Sequence, residues 1–499
     1  MTKKEAGVEQ HVVVAGGGPV GLWLAAELRL GGVAVTVVEM REERDPRSKA
    51  LTVHPRTLEI LASRRAHRPF LRAGTPLPSG HFGMLGTRLD FRALDTPFPY
   101  TLALPQARTE ELFEERALAL GARILRGHRV TGLAEDPQGV TVRVEGPDGP
   151  YDLRAAYAVG CDGARSTVRA AAGIGFPGTA AGVVGFLADV TLDSPPPPGF
   201  SAFGPAGGLM VAPLPGGRFR LVGITPDDVT TTWPGALSLD ELRAKVRAVA
   251  GQDFGLHSPV WLSRFGNATR QAERYRRGRV LLAGDAAHQH FPTGGVGMNV
   301  GIQDAHNLGW KLAAVIGGRG AGALLDTYHR ERHPVGTDLL ESSRAQTALM
   351  TAFSPEGRAL RAQLSTLLAT LPALNATLAE RVSGLAVGYP PADPSAHPLT
   401  GTRAPDLPVE GAEGLFALLR ADRLLLLDLT GGSLAGPPAP GVAVHTGAPD
   451  LPRPAWAGVR AALIRPDGHV AWAGTESDAT ALAAAARRAV RRAHGVAED

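Results

Sequence analysis

The residues best suited to do chemistry stand between positions 284 and 299: Gly284-Asp285-Ala286-Ala287-His288, then Pro292, then Gly294-Gly295-Val296-Gly297-Met298-Asn299. An apolar run, Val280-Leu281-Leu282-Ala283, precedes them and reads as a short buried strand that delivers Asp285 at its end. A helical pattern follows from about Val300 to Ile316. A strand ending in an acid, a glycine-rich loop and a helix N-terminus together bring backbone N–H groups and the positive end of a helix dipole to an anionic or electron-rich ligand. His288 and His290 lie in the same loop, but a His-x-His pair without a third ligand reads as loop packing, and no metal is expected. His329 and His333 have helical spacing, yet Arg330 stands where a zinc protease places glutamate.

A second constellation lies near the start. Val12-Val13-Val14-Ala15 reads as a buried strand, followed by Gly16-Gly17-Gly18-Pro19-Val20-Gly21, a helix to about Leu30, and a strand from Val33 that ends at Glu39. This is the order of a dinucleotide-binding unit: Gly16 makes the tight turn, Gly18 admits a pyrophosphate, Gly21 lets the helix pack, and Glu39 meets a ribose hydroxyl. Glutamate there disfavours a 2′-phosphate, so FAD or NAD suits this site better than NADP. Arg47 either meets a flavin or phosphate group or caps its loop. A third candidate, Cys161-Asp162-Gly163, follows the apolar run at 155–160 and reads either as a ligand-facing loop or as a common turn.

The elements that position these loops can be drawn from pattern. Residues 106–120 read as a helix, and Val140, Val142 and Val144 alternate before a turn at Gly146-Pro147-Asp148-Gly149. The stretch 70–105, rich in Gly, Pro and aromatic residues, reads as loop and short strands that cover a pocket. From 181 to 262 the texture becomes short apolar runs with few long helices, which predicts a separate, mostly antiparallel sheet. The expected fold class is α/β. A Rossmann-like domain of residues 1–180 and 263–390, with a helical extension, is interrupted by the sheet at 181–262 and followed by a small α/β domain at 391–499.

Composition fits such an assembly. With 499 residues, 44% hydrophobic and 20% charged, the chain is a multi-domain globular protein. A net charge of +4 without blocks of like charge gives no reason to expect nucleic acid. No apolar run approaches the ~18 residues of a membrane span. One cysteine, Cys161, excludes an internal disulfide and suits a reducing cytoplasm. Oligomeric state, monomer or homodimer, is not legible.

The three loops together resemble the single-component flavin-dependent aromatic hydroxylases, the family of para-hydroxybenzoate hydroxylase and phenol hydroxylase, over nearly the whole chain. Gly16 to Gly21 match its nucleotide fingerprint, Asp162-Gly163 its Asp-Gly motif, and Gly284-Asp285 with Pro292, Gly295, Gly297 and Asn299 its Gly-Asp motif. Asp304-Ala305-His306-Asn307-Leu308-Gly309-Trp310-Lys311-Leu312 and Arg465-Pro466-Asp467-Gly468 are similar to the branch acting on aromatic polyketides and rifamycin-type antibiotics. That branch carries a thioredoxin-like C-terminal domain, which here has no cysteine pair for redox work. The resemblance implies FAD as cofactor, with Gly16, Gly18, Pro19, Val20, Gly21 and Glu39 on the ADP half and Gln106 nearby. It places Gly284 and Asp285 at the ribitol, and Pro292 with Gly295, Gly297, Met298 and Asn299 along the flavin ring; Asp162 and Gly163 are linked to both FAD and NAD(P)H. It further implies NADPH or NADH as a transient reductant, dioxygen, a flavin hydroperoxide and a small aromatic substrate. No residue stands out as a catalytic base. A Baeyer–Villiger rearrangement and a non-enzymatic ligand-sequestering role are the alternatives.

Overall fold

The computed structural model describes residues 11–391, 393–434, 439, 441–447 and 453–496. Its centre is a six-stranded sheet in the order Arg276–Arg277, Val280–Leu282, Tyr157–Gly160, His11–Ala15, Ala34–Glu39, Arg123–Arg126, parallel except for the first edge strand. Val12, Val14, Val37, Val159 and Leu281 are wholly buried, as expected of strands covered on both faces. On one face the helix Pro19–Leu30 packs against the helix Gly297–Ile316. A Cβ on Gly309 would lie 2.6 Å from that of Glu27, so the missing side chain sets how closely the two helices approach. The second helix begins at Gly297, three residues earlier than its apolar periodicity predicts, because glycine and asparagine carry no periodic signal.

Residues 70–105 are loop and short strands, apart from the end of the helix His67–Ala73. The predicted hairpin is Gly139–Gly146 with Gly149–Ala155, and Arg129–Asp136 adds a third, unforeseen strand to it. Residues 184–266 form a five-stranded antiparallel sheet in the order Ser201–Gly204, Gly207–Leu214, Arg218–Ile224, Val184–Leu192, Leu256–Gly266. One face buries Phe186, Ala188 and Val190 against Leu242 and Val246 of the helix Leu239–Ala250. The other face carries Asp189 opposite Arg220 and Trp261 on its two neighbouring strands. Arg220 pairs with both Asp189 oxygens at 2.7 Å and donates to the Ser48 carbonyl, tying this sheet to the nucleotide domain.

The C-terminal part is the mixed four-stranded sheet of the thioredoxin-like class, ordered Val442–Thr446, Leu424–Asp428, Ala461–Ile464, Val470–Gly474, with the helix Ala479–Ala493 packed on it. It is fastened through the turn after Ile464. Arg465 reaches both oxygens of Glu331 at 2.7 Å, Lys311 bonds Glu331 at 2.7 Å, and Asp467 accepts from Asn307 and Trp310 at 3.1 Å. Arg56 and Arg64 donate to the carbonyls of Asp467 and Pro466. No helix among the described residues is long and apolar enough to cross a membrane.

Candidate FAD and substrate site

Parallel pairing brings the three sequence-distant loops to one edge. Strands Val280–Leu282, Tyr157–Gly160 and His11–Ala15 are adjacent, and their carboxyl ends release Gly284-Asp285, Asp162-Gly163 and Gly16 side by side. Gly16 N–H donates to Val38, Cys161 N–H to Ala15 and Ala283 N–H to Gly160, at 2.8 to 3.0 Å. Gly16 has φ +105°, and a Cβ there would lie 2.3 Å from the Cys161 carbonyl, so only glycine permits this junction. Open ligand crevices at the carboxyl ends of parallel strands are where doubly wound sheets bind nucleotides.

The fingerprint residues divide by role. Gly21 serves packing, since its Cβ would meet the Gly16 carbonyl at 2.0 Å, whereas space above Gly18 and Gly163 is open. Glu39 is held by Gly17 N–H at 2.7 Å and Arg41 N–H at 3.0 Å. Val20 supports the second loop, 2.9 Å from where a Gly284 Cβ would stand, and Pro19 opens the helix behind Gly18. Asp162 uses one oxygen to accept from Val168 N–H, and the other is buried without a protein partner. Arg47 grips Asp45 at 2.8 and 3.0 Å on the surface, within 5.8 Å of the Trp261 ring. The Gln106 amide is committed to Ala50 N–H and Glu110.

Along the Gly284–Asn299 stretch, Asp285 and Pro292 are exposed, and Asp285 makes no side-chain hydrogen bond among the described residues. Gly295, at φ +65°, turns so tightly over Thr52 that a Cβ would come within 2.6 Å of its hydroxyl. The first intrahelical bond is Val300 N–H to Val296, leaving the amides of Gly297, Met298 and Asn299 as the donors a helix N-terminus presents. The Asn299 side chain faces the protein: it accepts from His54 N–H and Thr57, and donates to Thr52 and Gly295 carbonyls. Any contact it makes with a cofactor is therefore through its backbone. Gly297 lies against His290, whose Nδ1 donates to Phe291 at 2.6 Å.

Sequence reasoning passed over the group that holds this loop. Asp304 accepts from Gly284 N–H at 3.1 Å and pairs with His288 at 2.7 Å and Arg332 at 2.7 Å, all buried; Arg332 also bonds the Val300 carbonyl and Tyr389. Burial pushes the Asp304 carboxyl up, but Arg332 and His288 outweigh it and hold it below its ordinary value. His288 is thus a structural partner of a carboxylate, and no cluster of three metal-ligating side chains exists among the described residues. His329 and His333 pack around Tyr275. His54, beneath Gly295, donates to the Val382 carbonyl, and burial lowers its pKa to about 4, so it is neutral.

Next to Pro292 lies a buried apolar cluster made of Phe291, Met84, Val183, Ile224 and Met350, with Met210, Phe265 and Phe353 against it. It joins the antiparallel sheet, the 70–105 stretch and the end of the helix Asp326–Met350, with Phe265 and Phe291 rings 5.1 Å apart. The site therefore combines a dinucleotide crevice, a second glycine loop carrying a free acid, a donor-rich helix terminus and an adjoining, packed apolar cluster.

A parallel sheet with glycine loops at the carboxyl ends of adjacent strands defines a dinucleotide-binding class of protein, and its relatives specify which. Residues 9–343 match the family described as FAD binding domain, and residues 397–493 that described as aromatic-ring hydroxylase, C-terminal. The chain is 45% identical to rifampicin monooxygenase of Streptomyces venezuelae over 93% of its length and 96% of that protein's. It is 38% identical to dialkyldecalin synthase of Streptomyces rugosporus, covering 92% and 95%. The solved anhydrotetracycline hydroxylase OxyS of Streptomyces rimosus is 42% identical, with a TM-score of 0.85 and coverage of 95% of this chain and 98% of that one. The chain belongs to the FAD-dependent aromatic-ring hydroxylase family and is a flavin-dependent monooxygenase with FAD as its cofactor.

The residues present fit FAD: Gly18 and Gly163 leave open space, Asp285 is exposed, and three helix-terminal amides await an acceptor. Replacing Asp285 with alanine should weaken FAD binding about 10- to 100-fold, as loss of a charge-assisted hydrogen bond predicts. Fluorescence titration of apoprotein with FAD measures this, and an unchanged affinity would remove Asp285 from the cofactor site.

Proposed function

We propose that the protein uses NADPH or NADH and dioxygen to hydroxylate a polycyclic aromatic molecule of the polyketide or antibiotic type. The observation that carries this reading is the sheet edge that brings Gly16, Asp162-Gly163 and Gly284-Asp285 side by side, with the apolar cluster around Phe291 packed next to the exposed Pro292. Bound FAD would supply electron transfer from the nicotinamide and oxygen transfer to an electron-rich ring. The chain's own part is binding, orientation and exclusion of water. In this reading Gly16, Gly18, Gly21 and Glu39 hold the ADP half and Asp285 the ribitol. The amides of Gly297, Met298 and Asn299 stabilise negative charge at the pyrimidine edge of the flavin ring. Asp162 and Gly163 border the same crevice, with Gln106 nearby, while Arg47, paired with Asp45, caps its loop. The chain divides into a nucleotide domain of residues 1–180 and 267–390, a substrate sheet at 181–266, four residues longer than its sequence pattern indicates so that the strand Leu256–Gly266 stays whole, and a thioredoxin-like domain at 391–499, working in the cytoplasm.

The test is to reconstitute the protein with FAD, follow NAD(P)H oxidation with and without tetracyclic or rifamycin-type phenols, and analyse the product by mass and fragmentation. Substrate-stimulated oxidation and a ring hydroxyl are expected. Oxygen inserted within a ring would replace hydroxylation by the Baeyer–Villiger reaction. Bound FAD that resists reduction whatever aromatic compound is present would defeat the oxygenase reading.

A further inference from the structure

A cleft of about 300 Å³ opens between the edge strand Ser201–Gly204, the helix Pro355–Thr370 and the Met84–Gly86 turn, lined by Met84, Phe203, Arg358, Arg361, Ser201 and Ser365 among others. That volume is at the lower end of small-molecule sites. Its floor is unusual in charge. Arg361 is only 5% exposed, yet no carboxylate lies within ion-pairing distance of it or of Arg358 among the described residues.

The Arg361 guanidinium is held instead by neutral carbonyls: those of Gly83 at 2.8 Å, Leu349 at 2.7 Å, and Met84. Three bonds leave two of its five N–H donors uncommitted. Its Cζ sits 3.5 Å over the Phe203 ring, which stacks on Phe353 at 5.5 Å and 22°. Arg358 is anchored through Phe353 O at 2.5 Å. Burial lowers the Arg361 pKa to about 10, which still leaves a cation at neutral pH. A buried cation without a counter-charge is costly, and an arriving anion would relieve that cost. Met84 lines this cleft and also packs in the apolar cluster that includes Phe291, so a single side chain links the cleft to the Pro292 loop.

We propose that this cleft is a specificity subsite for the ionised, oxygen-bearing edge of a polycyclic aromatic substrate, with Arg361 and Arg358 as the positive pole and Phe203, covered by Arg361 on one face and Phe353 on the other, fixing the guanidinium in place. The inference rests on the polycyclic substrate reading above. Phenolate, ionised β-dicarbonyl and carboxylate groups share the required chemistry: delocalised negative charge on oxygen at the rim of a flat ring system.

Calorimetric titration of the FAD-loaded protein with anthraquinone-2-carboxylate and with its methyl ester tests this, because the two probes share a ring system and differ by one charge. The carboxylate should bind about tenfold tighter, as a charge-assisted hydrogen bond predicts. Arg361→Met should erase that preference. Because Arg361 also clamps the turn at Gly83 and Met84, Arg358→Gln provides the variant that spares the clamp. It should reduce the preference about two- to fivefold while ester affinity stays unchanged. Equal binding of the two probes, tighter binding of the ester, or a preference indifferent to Arg358→Gln would overturn the subsite and leave the polycyclic reading standing. Failure of both probes to bind while FAD is retained would overturn the two together.

Discussion

Replacement of Asp304 by alanine is expected to destabilise the protein by about 3–5 kcal/mol, the usual cost of removing one partner from a buried ion pair. Asp304 is 1% exposed and serves three groups at once: the Gly284 amide, His288 and Arg332. Its removal leaves the Arg332 guanidinium, itself wholly buried, with only Tyr389 and the Val300 carbonyl, and leaves the Gly284 N–H without an acceptor. Urea unfolding of the apoprotein gives the magnitude. The neighbouring Asp285→Ala provides the contrast, since Asp285 is exposed and makes no side-chain hydrogen bond among the described residues. That change should alter apoprotein stability by no more than about 0.5 kcal/mol. If Asp304→Ala unfolds at the wild-type urea concentration, the buried network does not set the position of the loop.

Those two acids also mark how far the chain was legible. Asp285 could be found because it ends an apolar run and opens a glycine loop, a local signal that survives without any knowledge of packing. Asp304 lies in the middle of the helix Gly297–Ile316, twenty residues from the amide it receives, and nothing local distinguishes it from an exposed helical acid. The same division runs through the fold. The strands His11–Ala15, Ala34–Glu39 and Val280–Leu282 are dominated by valine and leucine and could be read directly. Strand Arg129–Asp136 has an irregular burial pattern and carries polar residues, so its sequence lacks a clean alternation. Strand Val442–Thr446 lies at an edge with only Val442 buried, and likewise had little to show.

Partner choice was the least readable layer. Arg47 is bound to Asp45 two residues away, and Gln106 to Glu110 one helical turn on, so both side chains are satisfied locally. Asn299 sits in the glycine motif but spends its side chain on bracing the turn against Thr52, His54 and Thr57. Arg220, by contrast, sits in a stretch predicted only as sheet, and tertiary pairing makes it the link between that sheet and the Ser48 loop. Residue type and spacing picked out three loops that the fold brings to one sheet edge. The side chains that fix those loops in place were decided by contacts between residues far apart in sequence.

The second large effect is expected at Glu331, where alanine should also cost about 3–5 kcal/mol, by stranding Lys311 and depriving Arg465 of one of its two carboxylates. Limited proteolysis between residues 389 and 408 should then accelerate, because this acid fastens the C-terminal sheet to the nucleotide domain. The pH dependence supplies a separate reading. Burial pushes the Glu331 carboxyl up, but Arg465 and Lys311 outweigh it and hold the folded-state pKa at about 2, against an ordinary 4.5. A lowered carboxylate pKa contributes stability that is fully present above 4.5 and is lost as pH falls toward 2. Buried His54 and His469, each lowered to about 4 from 6.5 chiefly by desolvation, begin the decline earlier, between 6.5 and 4, because the unfolded chain takes up those protons first. Stability should therefore fall from about pH 6.5, by up to about 2.7 kcal/mol per pH unit for the two histidines, and should go on falling below 4.5 as Glu331 takes up its proton. Glu331→Ala should flatten only the limb below pH 4.5, by up to about 1.4 kcal/mol per pH unit for one proton. A variant whose acid limb keeps the wild-type slope would show that Glu331 does not carry this linkage, whatever its contacts.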